Sequence, residues 1–174
     1  LGFVKAILAL GIFFLLAYEV QEKTILWKKN QKLSWTDFKG TPQNSKAAAV
    51  TASGLTYSFS TIKKNNVIVD INFEVSSFFY PYKSWYQPAL CDSLILSHEQ
   101  LHFDITEVYA EKLRVRLAAA IFNNNAKAEV KAIYDQVTRE LNKYQNLYDA
   151  ETNFSRDLEQ QLLWNKKIAA IFNN

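Results

Sequence analysis

Residues 55–75 read LTYSFSTIKKNNVIVDINFEV, and their alternation decides the fold class. Leu55, Tyr57, Phe59 and Thr61 alternate with Thr56, Ser58 and Ser60, and Val67, Val69, Ile71, Phe73 and Val75 alternate with Asp70, Asn72 and Glu74. A period of two puts each set on one face of a strand. The polar run Lys63-Lys64-Asn65-Asn66 between them reads as a turn, so the stretch is an antiparallel hairpin with one buried face. From about Pro88 the period lengthens to that of a helix. Helices are predicted over about 89–122, closed by Asn123-Asn124-Asn125, over about 126–147, and over about 156–172. The second should bury Val130, Ile133, Val137, Leu141 and Tyr144, and the third Leu158, Leu162, Ile168 and Phe172. Strands first and helices afterwards define an α+β fold, with the sheet covered on one side.

Working towards the N-terminus, Lys32-Leu33-Ser34-Trp35-Thr36-Asp37-Phe38-Lys39-Gly40 precedes a turn marked by Gly40 and Pro42. The aromatic stretch 78–86 reads as a strand or loop packed over the sheet. Residues 6–18 form an uncharged apolar run between Lys5 and Glu19. Thirteen residues fall short of the ~20 that span a bilayer and suit the core of a secretory signal. Residues 1–20 are therefore expected to be a signal peptide or an N-terminal membrane anchor, and 21–174 a single exported domain. Its location would be the periplasm, the medium or the outer side of the membrane.

Of the 174 residues, 49% are hydrophobic and 14% aromatic, enough for one well-packed core. The net charge of +3 is mild and interspersed, which argues against a nucleic-acid partner and leaves a peptide or protein substrate as the expected one. The single cysteine, Cys91, excludes an internal disulfide. It stands seven residues before His98, about 10 Å along a helix, too far to share one ion with both histidines, and reads as a small apolar thiol.

The first predicted helix carries His98-Glu99-Gln100-Leu101-His102, which contains both histidines of the chain. Positions four apart share a helix face, so the two imidazoles can grip one metal ion. Glu99 points about 100° round the helix, where it can serve a water instead of the ion. Zinc with an open position lowers the pKa of such a water to about 7, which makes Glu99 the candidate general base of a hydrolysis. The alternative is a pair of histidines on an apolar stripe formed by Leu94, His98, Leu101, Ile105, Val108 and Leu113. Two imidazoles buried there need partners, and a metal supplies them.

A catalytic zinc takes three protein ligands. Ile105, Thr106 and Tyr109 share the face of His102 and none is a ligand, so the third must be an acid from elsewhere. Among the downstream acids, Asp149 and Glu151 differ in lying among aromatics. If the second helix runs through them, Glu151 joins the Ile133–Val137–Tyr144 stripe and Asp149 faces away. The chain also lacks methionine, which excludes the metzincin pattern with its methionine turn.

Three motifs occur together: Trp35-x-Asp37-Phe38-x-Gly40, then His98-Glu99-Gln100-Leu101-His102-Phe103-Asp104-Ile105, then Tyr148-Asp149-x-x-Thr152, with Gln160 and Trp164 beyond. In this the chain resembles, over roughly 33–164, a bacterial family described as secreted zinc-dependent proteases and formally a domain of unknown function. The resemblance implies a zincin-like fold and metallopeptidase activity, with Zn²⁺ on His98 and His102, and Glu99 as base. It favours Asp149 as third ligand, with Glu151 the runner-up. The family's last motif continues Tyr-Asp-x-x-Thr-x-His-Gly, where this chain has Phe154-Ser155. If that histidine binds zinc or substrate, this member is weakened; if Asp149 is the ligand, the site is intact. The expected function is an exported zinc metallopeptidase, with Tyr148 or Tyr109 as a second electrophile. The alternatives are an inactive metal-binding or structural envelope domain, and a zinc amidase acting on cell-wall peptides.

Overall fold

The computed structural model describes residues 23–43, 45–123 and 125–173. The expected leader, residues 1–20, lies outside them. Five strands precede three helices: β1 (Ile25–Leu26), β2 (Ala49–Val50), β3 (Ser53–Lys64), β4 (Val67–Phe79), β5 (Trp85–Tyr86), α1 (Ser93–Ala119), α2 (Ala126–Glu151) and α3 (Leu158–Asn173). The fold is α+β, as the change of period predicts. The main sheet has the order β1-β4-β3, and β2 pairs with β5 in a separate two-stranded sheet.

Strands β3 and β4 form the antiparallel hairpin, with Tyr57 opposite Val75 and Phe59 opposite Phe73. Its turn is the two residues Asn65 and Asn66, with φ of 51° and 63°. Positive φ at both positions is what the tightest hairpin turns demand, and asparagine tolerates it. Leu55, Val75, Tyr57, Phe59, Ile71 and Phe73 pack on the helices as expected. Val67 and Val69 do not: each is 58% exposed. The register shifts between Ile62 and Lys63, and no core residue comes from the hairpin beyond that irregularity, so its tip stands clear of the helices.

Helix α1 starts later than the periodicity suggests. Leu90 N bonds back to Gln87 O in a turn, and the Asp92 side chain caps Ile95 N at 2.9 Å. The helix lies between the main sheet on one side and α2 and α3 on the other. From His98 to Ala110 every residue is buried except half-buried His102. Apart from Glu99, whose Oε2 has no hydrogen-bond partner, the polar side chains buried there are engaged: Gln100 accepts from Leu33 N and donates to Asp104, and Glu107 accepts from Ser77 and Arg114. On α2 the expected stripe is buried or half-buried. On α3 Ile168 and Phe172 pack inward as expected, but Gln161 and Trp164 fill the earlier turns of the buried row, and Leu158 and Leu162 are more than half exposed.

The Trp35-Thr36-Asp37-Phe38 segment is a clamp. Asp37 accepts from Ser34 N at 2.8 Å, closing a short 3₁₀ turn, and Phe38 packs edge-on against Phe79. Trp35 stacks on Tyr86, with ring centroids 4.6 Å apart. Gly40 N then bonds to Ser84 O at 2.8 Å, and a Cβ at Gly40 would sit 2.8 Å from that same carbonyl oxygen. The motif therefore ties the N-terminal segment to the 80–86 turn rather than contributing chemistry.

Candidate metal centre

Three side chains from two helices converge at one point. His98 Nε2 lies 3.1 Å from Asp149 Oδ1, His102 Nε2 lies 2.9 Å from the same oxygen, and the two Nε2 atoms are 3.1 Å apart. Among the described residues this is the one group of three such side chains close enough to share an ion. The one-turn spacing on α1 brings the histidines together, with rings at 83° to each other.

Asp149, not Glu151, completes the set, although α2 does run through both. The face of α2 that meets α1 carries Leu141, Tyr148 and Thr152, and the two acids stand on either side of it. Asp149 turns to the histidines, while Glu151 turns to α3 and accepts from Trp164 Nε1 at 2.8 Å. The wheel expectation fails because it counts apolar positions, and the buried face here includes Thr152 and Gln145.

Two glutamines hold the imidazoles. Gln145, one turn before Asp149, donates from Nε2 to the His102 carbonyl at 2.9 Å, so its Oε1 must face His102 Nδ1, which it contacts. Gln161 donates to Asn165 Oδ1 at 2.9 Å and presents Oε1 to His98 Nδ1, also at 2.9 Å. Both Nδ1 atoms are thereby donors, and both Nε2 atoms of the neutral rings carry lone pairs into the centre. Neither glutamine was picked out from the sequence. Gln145 could have been, by its place one turn from Asp149; Gln161 carries no such signal.

Three acceptor atoms about 3 Å apart require a positive charge between them. Two facing imidazolium protons would repel, whereas one divalent ion satisfies all three. Tetrahedral ligands 2.0–2.1 Å from zinc stand about 3.3 Å apart, close to the spacing found. Glu99 adds an independent sign: its Oε2 is buried with no hydrogen-bond partner, and the residue lines the same cavity. The donor set fits a metal ion.

The electrostatics agree. Burial alone would push His102 down, but its hydrogen bond to Asp149 and the charges of Glu99 and Asp149 outweigh that and raise it above its ordinary value. Burial would raise Asp149, yet His102 and His98 hold it well below the usual carboxylate range. Tyr148 is pushed far up, chiefly by burial. It is fully buried, donates to Gln161 Oε1 at 2.8 Å and stacks on His98, with centroids 4.5 Å apart. Tyr148 thus braces the ligand ring and is not free to act as an electrophile. Tyr109 is also buried, against Tyr144, and does not line the cavity. Cys91 contacts Ala48 O at 3.3 Å, and burial foremost raises its thiol.

The centre opens into a cavity of about 690 Å³ bounded by the β2 segment, α1 and the turn between α2 and α3. That turn is unusual: Asn153, Phe154 and Ser155 have φ of 47°, 53° and 70°. Left-handed conformations at non-glycine residues cost of order 1–3 kcal/mol each, asparagine least. Phe154 N bonding to Asp149 O and Thr152 Oγ1 bonding to Tyr148 O at 2.7 Å hold it in place. A second cavity, about 570 Å³, lies between the N-terminal segment, α1 and α3. Its one acid, Asp104, is engaged by Trp27, Lys32 and Gln100.

Fold and site together define an α+β domain with a partly buried His–His–Asp cluster able to hold a metal ion. The chain belongs to a bacterial family of unknown function, DUF922, whose family model matches residues 30–156. Comparison with curated proteins and with solved structures returns no match.

Proposed function

We propose that this domain is an exported zinc-dependent peptidase. The observation that supports it most is the orphaned Glu99 Oε2 beside three converging acceptor atoms. Held by His98, His102 and Asp149, a zinc ion would supply Lewis acidity towards a water molecule and an amide carbonyl. Glu99 Oε2 then takes the proton of the attacking water and returns it to the leaving amine. Gln145 and Gln161 keep both Nε2 lone pairs directed inward, and Tyr148 excludes water behind His98. The cavity wall formed by Ala47, Ala48 and Val50 offers a smooth apolar side for a substrate backbone.

A non-catalytic metal-binding domain is the second reading, favoured by the burial of Tyr148 and Tyr109 away from the cavity. The variant Glu99→Gln separates the two. Purified without affinity histidines, it should hold about one zinc per chain and lose hydrolysis of a mixed fluorogenic peptide library. Undiminished hydrolysis would remove Glu99 from the mechanism. Absence of hydrolysis in the zinc-loaded parent protein would favour the second reading.

A further inference from the structure

The charges lining the centre's cavity are sorted by depth. Its two acids, Glu99 and Asp149, lie at the floor, and its two bases, Lys46 and Arg156, are exposed at the rim. Arg156 follows directly on the three residues of positive φ, of which Phe154 and Ser155 line the same cavity. That turn is fastened to the ligand-bearing helix end: Phe154 N bonds to Asp149 O at 2.9 Å, Asp157 N to Thr152 O at 2.9 Å and Arg156 N to Asn153 O at 3.3 Å. The guanidinium itself makes no hydrogen bond or ion pair among the described residues, unlike those of Arg114 and Arg116, which are fully engaged. An arginine held by a strained turn at the mouth of a cavity, with its fork unspent, is arranged to receive a planar anion.

We infer that Arg156, assisted by Lys46, is the specificity residue of this cavity and selects substrates with a carboxylate next to the amide that is cut. The inference rests on the peptidase reading and names its substrate class. A phosphate monoester is less suited, because Glu99 and Asp149 at the floor repel its second negative charge. The carboxylate can be a chain terminus or an acidic side chain, and both offer two oxygens to the fork.

The test uses the full chain loaded with cobalt(II), whose visible absorption reports binding without turnover. The probes are three peptidyl hydroxamates identical except at the last residue: alanine with a free carboxylate, alanine amide, and aspartic acid amide. One of the two charged probes should bind about five- to tenfold more tightly than the neutral one. Which one does so distinguishes a terminal from a side-chain carboxylate. In Arg156→Ala that probe should fall to the affinity of the neutral probe, and Arg156→Lys should keep part of the preference. Equal binding of all three, or a preference that survives Arg156→Ala, overturns the inference and leaves the peptidase reading standing. Failure of the neutral hydroxamate to change the cobalt spectrum overturns both.

Discussion

Replacing Gln161 by leucine should weaken metal binding through a residue that does not touch the metal. Gln161 is completely buried, and its Oε1 accepts from His98 Nδ1 at 2.9 Å and from Tyr148 Oη at 2.8 Å. Leucine has nearly the same volume and no acceptor, so two buried donors lose their partner. Each stranded donor costs roughly 1–3 kcal/mol. The Tyr148 hydroxyl retains a second acceptor, His98 O at 3.3 Å, and half-buried Asn165 can be rehydrated, so the sum falls to the lower part of the range. The metal-free protein should lose about 2–3 kcal/mol in urea denaturation. Metal affinity should fall a further 10- to 100-fold, because the His98 ring loses both its fixed tautomer and its orientation. Competition against a chromophoric chelator measures that constant separately from folding. A stability loss of the expected size with an unchanged zinc constant would refute the reasoning. Gln161 would then be a packing residue, and His98 would owe nothing to its hydrogen bond.

Three further outcomes follow from the same geometry. Asp149→Ala should lower zinc affinity by more than about 100-fold, while Glu151→Gln should leave it intact and cost about 1 kcal/mol in stability through the Trp164 bond; equal losses in chelator competition would restore Glu151 as a ligand. In the metal-free protein, the raised His102 contributes stability that is full below pH 6.5 and fades as pH rises through its elevated value, and the lowered Asp149 contributes above pH 3.8 and loses it in stronger acid. Zinc needs neutral imidazoles, so the Tm gain of zinc-loaded over chelated protein should grow from pH 5.5 to pH 8, reaching about 5–10 °C, and a constant or shrinking gain in calorimetry would contradict the assignment. Gly40→Ala drives a Cβ to 2.8 Å from Ser84 O and 2.9 Å from Tyr82 O, two backbone atoms that cannot swing aside; it should destabilise the fold by about 2–3 kcal/mol with the zinc constant unchanged.

The hairpin was legible because its two strands carry most of their apolar residues on one face and its turn residues tolerate positive φ. The first half of α3 was not, for a physical reason. Its buried row is Gln161, Trp164 and Ile168, and Gln161 is inside for its hydrogen bonds rather than for its hydrophobicity. A reading that counts apolar residues skips it and settles on Leu158 and Leu162, which are exposed. The same substitution of hydrogen bonding for hydrophobicity hides the character of α1. Gln100, Asp104, Thr106 and Glu107 are all buried on it beside the expected row of Leu101, Ile105, Val108 and Leu113, so the buried surface of the central helix is wider than its apolar stripe. Val67 and Val69 misled in the opposite direction, since alternation persists along β4 after the helices that would cover it have ended.

At the site, the histidines and Glu99 were visible because their spacing is itself the chemistry, whereas the partners that make the spacing work are neutral amides on two other helices. That choice of amides has a consequence for charge. A carboxylate behind each imidazole would have added two negative charges to a buried centre. Glutamine fixes the same tautomer and adds none, so among the described residues the acids lining the centre's cavity are Asp149 and Glu99. One buried and one half-buried carboxylate are costly together, and in the protein without an ion the Asp149 hydrogen bond and both negative charges outweigh burial and raise His102 above its ordinary value. One divalent cation cancels both charges without protonating either ring. The arrangement therefore suits a dication bound to neutral histidines. Under the peptidase proposal, the unpartnered Oε2 of Glu99 is the group left to act on water.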